Sequence, residues 1–223
     1  MRAVSRYHRL LPIVFTVVLL CASWVLGLSA TARAPRDLRP IALGCLVLYL
    51  GLILVEGATA SRRETSLPVA AQDRGTFELY ALAQGATALA ALGFGYRWAA
   101  EPPWTAGWAV AGSVILAAGI TLRLGAVFTL GRWYSRRVRL LEAHPVIQKG
   151  PYRLVRHPAY LGNLTIHLGL SLAYESVPGV LLLCFALLPC LIRRIRREEA
   201  VLDQLSGYAA YAARTARLIP GVW

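Results

Sequence analysis

The chain has 223 residues, of which 57% are hydrophobic and only 16% charged, with a mean hydropathy of +0.53. A soluble domain of this length does not need so much apolar surface, and several apolar runs approach the roughly 17–25 residues that cross a bilayer as a helix. The net charge of +13 sits in short stretches beside those runs, which fits headgroup contact and the positive-inside rule and argues against nucleic-acid binding.

The predicted class is therefore an all-α, polytopic integral membrane bundle, because lipid leaves no partner for backbone groups that do not pair within their own segment. About 5–6 transmembrane helices are expected, with a C-terminal helical hairpin and an amphipathic tail on the cytoplasmic side. The first span covers about Leu10 to Ala30, behind a basic flank; it is long for a signal-peptide core and reads as a retained helix. The loop TARAPRDLRP follows, broken by Pro35 and Pro40, then a second span from about Ile41 to Gly57. After the polar loop ASRRETSLPVAAQDRG comes a third span, Thr76 to Tyr96, rich in the small residues that let helices pack closely. Trp98 and Trp104 read as interfacial anchors around a fourth span, Trp104 to Leu122. Beyond it lies a more polar stretch, RLGAVFTLGRWYSRRVRL. Two further apolar runs, Leu161–Ala173 and Val177–Ile192, are split by YESVPG and predict a hairpin. The tail predicts a surface helix, a turn at Ser206–Gly207 and a second helical piece. Residues 1–103 are read as N-terminal transmembrane helices and 104–223 as the functional core, within one structural unit.

Arginine placement orients the chain. Arg2, Arg6 and Arg9, the stretch from Arg123 to Arg156, and Arg193 to Arg197 all fall on one side, which should be cytoplasmic in a cell (inner) membrane. Arg33, Arg36 and Arg39 fall on the other side and run against that assignment.

Chemistry concentrates in His144 to Asn163, HPVIQKGPYRLVRHPAYLGN. Gly150 and Pro151 predict a turn, and Pro158 biases His157 toward extended geometry, placing it at a helix entrance with Tyr160 one turn on. Free backbone N–H groups at such an entrance can meet a polar or anionic ligand. Val146 and Ile147, behind His144 and Pro145, could cover a flat ring. A second cluster, RRIRREE, places Arg194 and Glu198 on one helix face. Two readings of it stand side by side. Either the surrounding arginines simply neutralise Glu198, or Glu198 bonds a cofactor hydroxyl or amine while Arg194 meets an anionic substrate group.

These residues resemble the isoprenylcysteine carboxyl methyltransferase family, whose C-terminal architecture phospholipid methyltransferases share. The resemblance rests on H-x-x-V/I-x-x-G-P-Y-R-x-V-R-H-P-x-Y-x-G from His144 to Gly162, an apolar hairpin, and the Arg194, Glu198, Glu199, Leu202, Gly207 and Tyr211 pattern of the tail. It covers roughly Leu122 to Pro220 and is most like a prokaryotic form. It implies an S-adenosylmethionine-dependent membrane methyltransferase without a Rossmann domain, acting on a lipid-like or small apolar carboxylate, thiol or amine. It further implies that His144, Pro145, Val146, Ile147, Tyr152, His157, Pro158, Ala159, Tyr160 and Glu198 line the cofactor pocket and that Arg194 holds or orients the methyl acceptor. Two positions depart from the family. Pro145 constrains the backbone of the first cluster, and Arg137 stands where eukaryotic members carry a cofactor-contacting Gln.

The competing readings are a membrane NADPH-dependent reductase of the sterol-reductase type and a non-catalytic membrane scaffold. The former shares R-H-P-x-Y but continues to an acidic residue where this chain has Asn163. His167 reads foremost as a neutral core histidine, with a substrate contact second. Asn163 and Thr165 are expected to bond a neighbouring helix, Glu56 and Glu78 to reach water at span ends, and Tyr208 and Tyr211 to anchor the tail at the interface. Cys21, Cys45, Cys184 and Cys190 lack metal-ligand spacing, and the histidines form neither HxxxH nor HExxH, so no metal is expected.

Overall fold

A computed structural model describes residues 2–63, 75–97, 104–135 and 145–223. The elements are α1 (Arg2–Arg33), α2 (Arg39–Arg63), α3 (Thr76–Gly93), α4 (Trp104–Leu130), α5 (Pro158–Ala173), α6 (Val177–Leu182), α7 (Leu188–Leu202) and α8 (Tyr208–Ala212). Short 3₁₀ turns at Gly131–Trp133 and Gly150–Arg153 and a π-helical turn at Leu183–Leu187 complete them. The protein is a polytopic helical membrane protein. Among the described residues, four helical stretches are long and apolar enough to cross a bilayer: Ile13–Arg33, Arg39–Ala58, Thr105–Trp133 and Val177–Leu202. Their outward faces carry exposed Val17, Val18, Val47, Val114 and Phe185, as lipid-facing surfaces require. The shorter α3 and α5 pack against them, with Ala88, Ala91, Leu92, Ile166 and Leu170 buried in one shared core.

The closest helix pair is α4 with α5, and glycine is the reason. Gly112 and Gly119 face Gly169 and Gly162, and a Cβ on Gly119 would lie 2.7 Å from the Ile166 nitrogen. One on Gly169 would lie 2.7 Å from Leu116 Cα and 2.8 Å from the Gly112 carbonyl oxygen. Backbones that approach this closely associate by dispersion, which must do the work where lipid removes the hydrophobic drive. This helix runs further than the sequence suggests: α4 extends to Leu130, so Arg123 lies inside a helix, buried, rather than in the loop beyond it.

The π-helical turn has a local cause. Pro189 sits in the first turn of α7, and a proline there cannot donate to a carbonyl four residues back. Widening the turn absorbs the defect, so Val177–Leu202 stays one continuous helix. The hairpin before it is held by Ser176, whose side chain accepts from Gly179 N–H (3.3 Å) and donates to the Ala90 carbonyl (2.9 Å).

The arginines that ran against the charge rule have a structural use. Arg33 donates to the carbonyls of Gly95 (3.0 Å) and Gly93 (3.1 Å), and Arg39 to those of Ala32 (3.0 Å) and Ala34 (3.2 Å). Both therefore satisfy carbonyls left over at the C-terminal ends of α3 and α1.

The tail turns at Gly207, whose φ of 83° favours glycine, and runs back along the segment before α5. Val155 and Ala216 form a parallel bridge, Arg156 N–H donates to the Ala216 carbonyl (2.8 Å), and His157 N–H to the Arg217 carbonyl (3.0 Å). The end of the tail is thereby tied to the RHP segment by main chain.

Candidate active site

The tail, the segment before α5 and the ends of α3, α4 and α7 enclose one cavity of about 710 Å³. That volume is typical of a small-molecule or cofactor site. Pro145, Val146, Ile147, Tyr152, His157, Ala159, Tyr160, Arg194 and Glu198 all line it. Pro158 does not; it is buried in the first turn of α5, where a missing N–H costs nothing. His144 and Arg137 lie outside the described residues.

His157 stands at the N-cap position of α5 with φ −123° and ψ 57°, outside the extended region that Pro158 was expected to favour. Its ring stacks on Tyr160, with centroids 5.7 Å apart and planes 25° from parallel. The Tyr160 hydroxyl is the hub of the site. It donates to Glu198 Oε2 at 2.5 Å and accepts from Arg194 Nε at 2.9 Å. Arg194 is almost fully buried, also donates to Thr76 (3.3 Å), and lies over Phe77, Tyr80 and Tyr160, 5.6 to 6.0 Å from their centroids. Cation–π contact with these rings and hydrogen bonds to Tyr160 and Thr76 hold the guanidinium in place. Arg194 and Glu198 thus share a helix face, but they meet through Tyr160.

The adjacent carboxylates serve different ends. Glu199 is buried among Arg217 (Nε 2.7 Å), Arg156 (Nε 3.0 Å) and His157 (Nε2 3.3 Å). Its charge is matched by chain groups alone, and it fastens the tail to the RHP segment. Glu198 receives the Tyr160 hydroxyl and faces the cavity. A carboxylate has about four acceptor positions, which leaves capacity for a ligand.

Several residues of the cavity are not apparent from spacing. Tyr208 and Tyr211 are buried and line the cavity, rather than anchoring the tail at an interface. Tyr211 donates to the Tyr152 carbonyl at 2.7 Å, whereas the buried Tyr208 hydroxyl has no hydrogen-bond partner among the described residues. Burial raises the pKa of Tyr152, Tyr208 and Tyr211, that of Tyr211 to about 12, so these phenols remain neutral donors. Glu56 is ion-paired rather than simply solvated: Arg123 Nε reaches its Oε1 at 2.7 Å. Arg123 also donates to the Ala159 carbonyl (3.2 Å) and the Tyr134 hydroxyl (2.9 Å), joining α2, α4 and α5 beneath the cavity. Asn163 bonds Tyr80 of α3 across the bundle, as its residue type suggested. From sequence, only the apolar residues flanking Arg123 could have flagged that network.

Residues 94–204 match the isoprenylcysteine carboxyl methyltransferase (ICMT) family. Among curated proteins, the chain is 29% identical over 115 residues to protein-S-isoprenylcysteine O-methyltransferase A of Arabidopsis thaliana, covering 50% of this chain and 58% of that one. It is 31% identical over 113 residues to a probable protein-S-isoprenylcysteine O-methyltransferase of Oryza sativa subsp. indica, covering 49% and 59%. It is 36% identical over 96 residues to the cobalt-zinc-cadmium resistance protein CzcN of Cupriavidus metallidurans, covering 41% and 44%. The chain thus spans about half the length of the curated relatives it matches. The matched segment holds α4, the RHP segment, the hairpin and both tail carboxylates, and through it the chain belongs to the isoprenylcysteine carboxyl methyltransferase family.

Proposed function

We propose that this protein is an integral membrane methyltransferase that uses S-adenosylmethionine to methylate a lipid-like acceptor, with a carboxylate as the favoured acceptor group. One observation carries the reading. A single cavity joins the tail carboxylate Glu198, the RHP-segment residues His157 and Tyr160, and the half-buried pair Val146 and Ile147, and it continues between α1, α2 and α3 past Phe15, Leu19, Leu52 and Ile53. A polar ligand can occupy one end while an apolar chain occupies the other. The residues fit the cofactor: Glu198 can accept from its hydroxyls or amine, and the Tyr208 hydroxyl is a buried donor still lacking a partner.

When bound, S-adenosylmethionine supplies a methyl group already activated by its sulfonium, so a carboxylate or thiolate acceptor needs no general base. The chain's contribution is position and exclusion of water. Val146, Ile147, Tyr152 and Ala159 provide the apolar walls. Arg194, fixed by Tyr160 and Thr76, orients an anionic acceptor group. The Glu199 clasp holds the tail over the site. The cavity's polar end faces the cytoplasm of a cell membrane under the charge rule.

Calorimetry on the purified protein in detergent tests the donor, with micromolar S-adenosylhomocysteine binding expected. Binding of NADPH with no heat from either adenosyl ligand would sink the proposal in favour of a reductase. Transfer of labelled methyl into a membrane lipid extract, followed by mass spectrometry, identifies the acceptor. Arg194→Ala should raise the acceptor KM while leaving S-adenosylhomocysteine affinity within about twofold.

A further inference from the structure

His167 lies two turns beyond Tyr160 on α5, about 10 Å deeper along the helix at 1.5 Å per residue. It is 3% exposed and lines the same cavity as Glu198. Its Nδ1 is 2.7 Å from the Asn163 carbonyl oxygen. A carbonyl can only accept, so Nδ1 carries the proton and Nε2 of the neutral ring presents a lone pair. That Nε2 is buried and has no hydrogen-bond partner among the described residues. The Gln84 backbone carbonyl also approaches the ring but, as an acceptor, cannot satisfy a lone pair. Tyr49 packs edge-on against the imidazole, with centroids 6.2 Å apart at 81°. The ring is thus held in place by Asn163 and Tyr49, while its one available atom lacks a donor. A buried acceptor left without a donor bears its full desolvation cost, and a plain hydrocarbon chain lying here would leave it so.

We infer that His167 is a specificity-determining residue that accepts a hydrogen bond from a hydroxyl or N–H group carried along the acceptor's apolar chain. The acceptor is then polar at two levels: an anionic group near Arg194 and Tyr160, and a donor group about 10 Å further into the bundle. The inference rests on the methyltransferase reading and narrows its substrate class to a functionalised lipid rather than an unbroken prenyl or acyl chain.

The test uses two probes, N-acetyl-S-geranylcysteine and its counterpart hydroxylated at the far end of the geranyl chain. Their affinities are measured by calorimetry on full-length protein saturated with S-adenosylhomocysteine. The hydroxylated probe should bind at least about tenfold more tightly to the wild type. His167→Leu should abolish that preference, and His167→Gln, which keeps an acceptor, should retain part of it. Unchanged S-adenosylhomocysteine affinity in both variants verifies that they fold. Equal affinity for the two probes, no binding of either, or a preference that survives His167→Leu would each overturn the inference and leave Nε2 to an ordered water. A wild type that takes no S-adenosylhomocysteine refutes the methyltransferase reading instead, so the two failures are separable.

Discussion

Glu198 and Glu199 are neighbours in sequence with opposite predicted responses to the same change. Glu199→Gln removes the charge that Arg156, Arg217 and His157 surround. Removing one partner from a fully buried pair costs about 3–5 kcal/mol. Here the Arg217 side chain is 36% exposed and regains solvent, while Arg156 is only 10% exposed and does not. Discounting the exposed partner leaves about 2–3 kcal/mol. At about 2–4 °C per kcal/mol for a chain of this size, Tm should fall by about 4–12 °C. Glu198→Gln changes a residue that has one protein hydrogen bond and faces the cavity. Tm should move by less than about 2 °C, while S-adenosylhomocysteine affinity falls by tenfold or more. Thermal unfolding in detergent and calorimetry, run on both variants, read the two effects separately. If Glu199→Gln leaves Tm unchanged, or Glu198→Gln lowers Tm without weakening the ligand, the division of labour argued from these distances is wrong.

Two further outcomes follow from the packing. Gly169→Leu forces side-chain atoms onto the Leu116 backbone, where even a Cβ has no room; overpacking of this kind costs about 1–3 kcal/mol or more, and thermal unfolding should show the loss, whereas Gly44→Leu, with open space around it, should not. Alkaline titration should expose the Tyr211 hydroxyl: its pKa is raised from 10.0 to about 12 by burial, so its contribution is complete below pH 10 and is lost as pH rises toward 12, because the unfolded chain releases the proton first. The fall in Tm across that window should be smaller in Tyr211→Phe, and an identical fall would show that this phenol is not the group responsible.

The membrane class was legible because it depends on quantities that a linear scan measures. Run length and hydropathy decide whether a helix can reach across lipid, and Pro158, Gly150 and Gly207 act on their own backbone. The α5 entrance at His157, the hairpin and the tail turn were therefore readable locally. The same holds for Arg194 and Glu198, one helical turn apart. Less legible were relationships that need a partner from elsewhere in the chain. Arg123 read as a loop charge until Glu56 of α2 and the Ala159 carbonyl of α5 were found around it. Arg33 and Arg39 read as misplaced topology signals until their carbonyl partners were known.

Sequence by itself determined which runs are helical, which of them suit lipid, and which two stretches concentrate the polar groups, since each depends on neighbours within a few residues. Only the tertiary structure decided which carboxylate clasps the tail and which faces the cavity. It also decided that Tyr160 lies between Arg194 and Glu198, and that one nitrogen of His167 is left without a donor. Those outcomes are set by which side chains from distant helices converge on a buried atom, and no spacing along the chain encodes that convergence.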